Sequence, residues 1–309
     1  MGFTANDVKT LREMTGVGMM DCKKALAASD GDMDGAVAFL REKGLAAAQK
    51  KAGRIAAEGM AYAAVYDDVG VVVEVNAETD FVAKNDLFVE FVKNVAGVIA
   101  KFAPVDLAAL MFLPYPGTGR TIEQEQQDKV LVIGENIKIR RFARYDSNMS
   151  VAYNHMNGRI GVLVNLKVSD NLKDNEEVVV LGKDIAMQIA AMRPSFRDKS
   201  DVDEATLARE KEILLAQAHE ENKNAAKPKP DAIIEKMVMG RVGKYYEENC
   251  LLQQIFVKDN KVSVEQHVAA VAKELGGTVE VLDFVRFEKG EGIEKKQEDF
   301  AAEIASMVK

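Results

Sequence analysis

Three observations predict an α+β fold. Two stretches of the chain read as copies of one strand–strand–helix–strand unit. The closing strands alternate apolar and polar residues, as at Ile137 and Ile139 against Lys138 and Arg140, which is the pattern of antiparallel sheets covered on one face. Helical periodicity dominates elsewhere, at the N-terminus and in a pair of long segments inserted into the second copy.

Residues 1–54 read as a small three-helix unit with a linker. Thr4 with Asp7 is a capping-box start, followed by Val8, Leu11 and Met14. Gly16 and Gly18 interrupt that helix. A second stripe runs through Met19, Cys22, Ala25 and Leu26 and ends near Ser29-Asp30-Gly31, which places Met20 on the opposite, outer face beside Lys23. A third begins at Asp32, carries Met33, Ala36, Val37 and Leu40, and is expected to stop at Gly44. The Ala- and Lys-rich stretch 45–58 is expected to be a helical linker. A bundle this small is marginal alone and needs a larger body to rest on.

The first copy of the repeat spans 55–145. Its hairpin is expected to turn at Gly70, and a β-branched run, Val71-Val72-Val73-Glu74-Val75, follows. An amphipathic helix over 85–102 carries Phe88, Phe91, Val92, Val95, Val98, Ile99 and Phe102. The second copy covers 146–199 and 249–288, with its hairpin turn at Gly158. Between its halves, 200–248 reads as an antiparallel helical hairpin turning at the prolines of K-P-K-P, since proline cannot sit inside a helix. At ~1.5 Å per residue each arm reaches roughly 25–30 Å. The stripe Ile234, Met237, Val238, Arg241, Val242 and Tyr245 needs either its own partner arm, as in a coiled coil, or a second molecule. Residues 289–309 form a final helical module, with Ile293, Phe300, Ile304 and Val308 on one face, docked on the core or offered to a partner.

The 309 residues carry 41 basic and 49 acidic side chains, a net charge of −8, which disfavours sequence-independent nucleic-acid binding. Lys50, Lys51 and Arg54, and Arg140, Arg141 and Arg144, read as solvated faces. Two distant cysteines, Cys22 and Cys250, fit a reducing compartment, and with no secretory or membrane-spanning segment in view a cytoplasmic location is expected. No phosphate-cradling Gly-Lys loop, zinc spacing or nucleophile elbow occurs. No cofactor, no metal and no enzymatic reaction are expected.

One short stretch asks for a reason. In N-A-E-T-D-F-V-A-K-N, residues 76–85, Asp80 stands beside Phe81 in a turn between a strand and a helix. Phe81 either folds into the core or points outward to a partner.

TGVGMMDCKKAL at 15–26, EVNAETDFVAKND at 74–86, IGENIKIRRF at 133–142, RIGVLV at 159–164 and RFEKGEGIEK at 286–295 together resemble the bacterial-type elongation factor Ts family, in order and from end to end. The resemblance implies a UBA-like N-terminal domain and a nucleotide-exchange factor for the GTPase elongation factor Tu. It implies that the loop Thr79, Asp80, Phe81 and Val82 enters that GTPase near its Mg²⁺ and phosphate site, with Phe81 as a wedge. It further implies contacts from Arg12, Met19, Met20 and Lys23, from His155, and from Val257. The second-molecule alternative for the helical hairpin is a homodimer through it. Three prolines, Pro104, Pro114 and Pro116, depart from the family's plainer helical segment, as does Lys258 after Val257. The competing reading, a UBA-like adaptor for another partner, leaves the repeat and the TDFV loop unexplained.

Overall fold

The computed structural model describes residues 2–224 and 228–294. At the N-terminus, α1 (Ala5–Thr15), α2 (Met19–Ala28) and α3 (Met33–Lys51) enclose Val8, Leu11, Val17, Cys22, Ala25, Leu26, Ala36 and Leu40. Thr4 and Asp7 form the expected capping box, and Gly16, at φ 70°, ends α1. Two expectations change here. Met14 and Met19 are exposed, and Val17, in the loop before α2, is the buried member of the cluster instead. The third helix does not stop at Gly44 but runs on to Lys51, because Gly44 packs against Leu131 and the Gln127 carbonyl of a core helix over Ile122–Ile133. The stretch expected to be a linker is thus a docked helix arm, and Lys51 Nζ donates to the Gly134 carbonyl at 2.6 Å.

The first core unit contains β1 (Glu58–Tyr66), β2 (Val69–Ala77), α4 (Asp86–Phe102), α5 (Leu107–Met111), α6 (Ile122–Ile133) and β3 (Lys138–Tyr145). The second contains β4 (Met149–His155), β5 (Ile160–Val168), α7 (Glu176–Met192), the hairpin arms α8 (Glu204–Lys223) and α9 (Asp231–Asn249), β6 (Ile255–Phe256), β7 (Asp259–Ser263), α10 (Val264–Glu274) and β8 (Val279–Glu288). The antiparallel sheets have orders β1-β2-β3 and β4-β5-β8, and each has a register shift at the same repeat position, Glu74/Val75 and Asn165/Leu166. The prolines at 104–116 bracket the five-residue helix α5 and a β-bridge between Pro114 and Thr121, which leads into the capping box of α6.

Each sheet buries large residues under its own helix. Val71, Val73 and Val75 meet Phe88, Phe91, Val92, Val95 and Ile99 of α4, while Val162, Val164 and Leu166 meet Ile185 and Ile189 of α7. Phe102, at the end of α4, lies outside this stripe and is exposed. The expectation that the other sheet faces meet solvent is overturned. They pack on each other through Ala61, Ala63, Val72, Leu163 and Phe287. Small residues make the approach possible. A Cβ on Gly161 would stand 2.9 Å from the Ala61 carbonyl oxygen, and one on Gly70 would stand 2.6 Å from Ser150 Cβ. Gly70 therefore lies within β2, opposite Val65, while Asp67-Asp68 make the turn. Gly158, at φ 85°, does occupy its hairpin turn, and its carbonyl accepts the Ala61 N–H at 2.8 Å. Asn154 completes the seam, exchanging two hydrogen bonds with the backbone of Ala63 at 2.8 and 2.7 Å.

The arginines near the end of the first unit are structural, not a solvated face. Glu74, fully buried, accepts from Arg140 Nη1 at 3.0 Å, Arg141 Nε at 2.6 Å, Asn76 Nδ2 at 3.0 Å and the Gly290 N–H at 2.8 Å. Arg140 also reaches the Glu291 carbonyl at 2.6 Å, and Arg141 lies over the Phe287 ring at 4.3 Å. The cluster ties the end of β8 to the first sheet. The hairpin stripe is answered within the chain, with Ile234 and Val238 of α9 packing on Leu214, Leu215 and Ala218 of α8. The tip, 225–227, and most of the expected final helix, 295–309, lie outside the described residues; 289–292 form a turn.

Burial pushes the Glu74 pKa up, but its hydrogen bonds from Asn76, Gly290, Arg141 and Arg140 outweigh this and hold it below the usual 4.5. Because the folded value lies below the unfolded one, this stabilisation is complete above the ordinary carboxylate range and fades as pH falls through it. Glu74→Ala is expected to cost about 3 kcal/mol in urea unfolding, since two arginines lose their buried partner. Glu74→Gln is expected to lose the part of the acid-side decline that this carboxylate causes; an unchanged acid limb would place that decline elsewhere. Gly70→Ala is expected to cost about 1–3 kcal/mol by wedging the sheets apart, read in the same unfolding measurement.

Candidate functional site

The loop after β2 is built by opposed turns of neighbouring side chains. Val82 points inward, only 8 % exposed, among the residues under α4. Phe81 points outward and is 81 % exposed. A single 3-10 turn, Val82–Lys84, separates them from α4, and the Asn85 side chain caps that helix by accepting the Leu87 N–H at 2.9 Å. Phe81 has ordinary helical angles, φ −64° and ψ −44°, so the backbone holds it out without strain. Asp80 is exposed and pairs with Lys84 at 3.0 Å.

The entry to the loop is pinned by acids from two chain segments. Glu135, in the turn after α6, accepts the N–H groups of Glu78 and Thr79 at 3.0 Å each and the Thr79 hydroxyl at 2.6 Å. Glu78 in turn accepts the Asn136 N–H at 2.6 Å. Asn136 Nδ2 donates to the Arg54 carbonyl at 2.8 Å, so the same turn holds the end of the N-terminal arm. Sequence reasoning did not find Glu78, Glu135 or Asn136 as a set. The signal available was an acid and an amide just after a helix-ending glycine, Gly134 at φ 88°, but nothing in the sequence pairs them with a loop 56 residues away.

The internal repeat supplies a comparison. Asn175 caps α7 as Asn85 caps α4, donors Glu177 N–H at 2.8 Å and Leu87 N–H at 2.9 Å. Counting back from the caps, buried Leu172 answers Val82, Asp170 answers Asp80 and Ser169 answers Thr79. Asn171 stands where Phe81 stands, and its side chain turns back to the Gly276 carbonyl at 3.2 Å. A related turn thus occurs in both copies, its 3-10 segment at Val82–Lys84 in the first and at Asp170–Leu172, two positions earlier, in the second, and the first carries an exposed aromatic. The core reading of Phe81 is set aside.

The other sequence-derived residues are distributed. Arg12, Met19, Met20 and Lys23 are all exposed on the N-terminal unit, Met20 at 62 %. Its Cys22 is fully buried, and burial pushes the thiol pKa up, so it is an inert core residue. His155 ends β4 with Nδ1 2.9 Å from the Tyr153 hydroxyl, next to exposed Met156. Val257 occupies the β6–β7 turn, half-exposed, its N–H donating to buried Gln188 at 2.8 Å. Lys258 beside it pairs with Asp184 at 2.6 Å.

A polar cleft adjoins Asp80. Its most buried acid, Glu288, accepts from Arg159, Arg193 and Arg286. Burial raises the Glu288 pKa, but these arginines bring it below the usual carboxylate value. Glu58 pairs there with Lys289 at 2.5 Å. Glu288, held so by its arginines, is a poor proton donor.

The family model for elongation factor TS matches residues 78–291, beginning at the loop just described. Elongation factor Ts of Magnetococcus marinus is 49 % identical over 310 residues, covering 100 % of this chain and 99 % of that protein. The chain belongs to the elongation factor Ts family. Elongation factor Ts of Syntrophotalea carbinolica is 47 % identical with 100 % of both chains covered, and that of Rhodospirillum centenum is 48 % identical with 97 % of both covered. Family membership makes the protein a translation elongation factor with a nucleotide-exchange role. No helix among the described residues is long and apolar enough to cross a membrane.

Phe81→Ala is expected to leave stability within about 0.5 kcal/mol, as for a surface site. Val82→Ala is expected to cost about 2 kcal/mol. Urea unfolding followed by circular dichroism measures both; a large loss with Phe81→Ala would return that ring to the core.

Proposed function

We propose that the protein binds the GTPase elongation factor Tu in its GDP form and promotes GDP release by inserting Phe81. The single observation that carries this is an aromatic side chain held 81 % exposed on an anchored turn, where the second copy of the repeat has an exposed asparagine hydrogen-bonded to the Gly276 carbonyl.

The physical route needs no proton transfer. A GTPase holds GDP through Mg²⁺, which neutralises phosphate charge, and through donors aimed at the phosphates. Burying a Phe side chain in a crevice of the partner contributes ~1.5–3 kcal/mol. If the crevice opens only when the Mg²⁺ and phosphate contacts are displaced, that energy favours the displaced state. GDP and the exchange factor then weaken each other by the same factor. Asp80, beside the ring, adds a negative charge that repels the phosphates or competes for their donors. Thr79 and Val82 support the turn. The exposed face of Arg12, Met19, Met20 and Lys23 is a second contact, and flexible Met side chains suit such a surface. His155 with Met156, and Val257, are contacts of the second core unit. A dimer through the helical hairpin would have to use its outer residues, Ile213, Ile233 and Met239, because the inner stripe is already covered. A cytoplasmic setting follows from this role.

The test is the dissociation rate of fluorescent GDP from elongation factor Tu. The wild-type protein is expected to accelerate it strongly, and Phe81→Ala to remove most of the acceleration. No acceleration by folded wild-type protein would overturn the proposal.

A further inference from the structure

Phe81 has no packing of its own to hold it, so its direction must come from the backbone on either side. We propose that Glu135 is the positioning residue that sets this direction, acting through the Thr79 hydroxyl. The inference rests on the exchange reading above and adds a residue and a mechanism to it.

The argument is one of donors and acceptors. An ionised carboxylate only accepts. Glu135 Oε1 therefore accepts a hydrogen bond from the Thr79 hydroxyl at 2.6 Å, and the Thr79 oxygen is left to accept from the other side. It does so from the Val82 N–H at 3.4 Å. Glu135 Oε2 meanwhile takes the Glu78 and Thr79 N–H groups at 3.0 Å. One carboxylate thus fixes the residue before Asp80-Phe81 directly and the residue after them through a relay. The second copy has no equivalent carboxylate. There Ser169 and Thr278 clasp directly, N–H to carbonyl and N–H to hydroxyl, both at 3.0 Å. The copy that presents no aromatic does without the acid. Glu135 also belongs to the turn whose neighbours hold the N-terminal arm, Gly134 through Lys51 and Asn136 through Arg54. Loop and arm are therefore referenced to one short segment.

A positioning residue should affect the rate at saturation more than binding. With full-length protein, elongation factor Tu and fluorescent GDP, Glu135→Ala and Thr79→Val are each expected to lower the maximal exchange rate by about 10–100-fold, the range a misplaced contact produces. The half-saturating concentration is expected to stay nearly unchanged. Their effects should not add in the double variant, because both cut one relay. Glu135→Gln should fall between, since its amide keeps one acceptor but offers Thr79 a competing donor. In a Phe81→Ala background, Glu135→Ala should change nothing further. Hydrogen exchange of the Glu78 and Thr79 amides should speed up in Glu135→Ala while the thermal unfolding curve is retained. An equal loss of rate with and without Phe81 would overturn the proposal, because Glu135 would then act elsewhere. So would unchanged amide protection. Should Phe81→Ala itself exchange GDP like wild type, the wedge reading fails, and the amide protection still decides whether Glu135 orders the loop.

Discussion

The close approach of two β-sheets governs this molecule. Each sheet already has a helix on one face, and the remaining faces meet across Ala61, Ala63, Gly70 and Gly161, where an added Cβ at either glycine would collide with the other sheet. Small side chains on this seam let backbone groups of one unit bond the other, as Ala61 does with Gly158 and Ala63 with Asn154. Pairing offsets the desolvation cost of the polar groups that this seam takes out of water. The Glu74 cluster locks the same seam at its edge, with a buried charge whose bonds come from both units. Two copies of one modest α+β unit thereby become a single platform.

That platform is what lets an aromatic stand in solvent in a fixed direction. An exposed Phe on a mobile loop would lose binding energy to ordering. Here the turn is already ordered in the chain by itself. Val82 anchors one side in the core, Asn85 starts a buried helix, and Glu135 fastens the other side. The turn in the second unit shows the alternative, in which the same backbone satisfies its side chain internally through Asn171. The exposed face of the N-terminal unit is referenced to the same framework, because the third helix is docked on the core along its second half.

Much of the organisation was legible in the sequence. The capping box at Thr4, the cap at Asn85, the amphipathic helix after it, the repeat and the proline-marked hairpin are local patterns, and local hydrogen bonding and periodicity produce them wherever they occur. The question at Phe81 was legible too, as an acid and an aromatic in a turn, although its answer was not. What misled was context. Gly70 looks like a turn residue, yet it is a strand residue cleared for a second sheet. Arg140 and Arg141 look like a solvated face, yet they neutralise a buried acid. Gly44 looks like a helix stop, yet it is a contact surface.

The sequence by itself determined most of the elements, the twofold use of one unit, and the unusual residues at 79–82, because these follow from spacing along the chain. Only the tertiary structure decided that the sheets cover each other, that Phe81 faces solvent, and that Glu135 reaches the Thr79 hydroxyl. These are contacts between segments distant in the chain. Their physical content is burial and hydrogen-bond partnership across space, which no local period records.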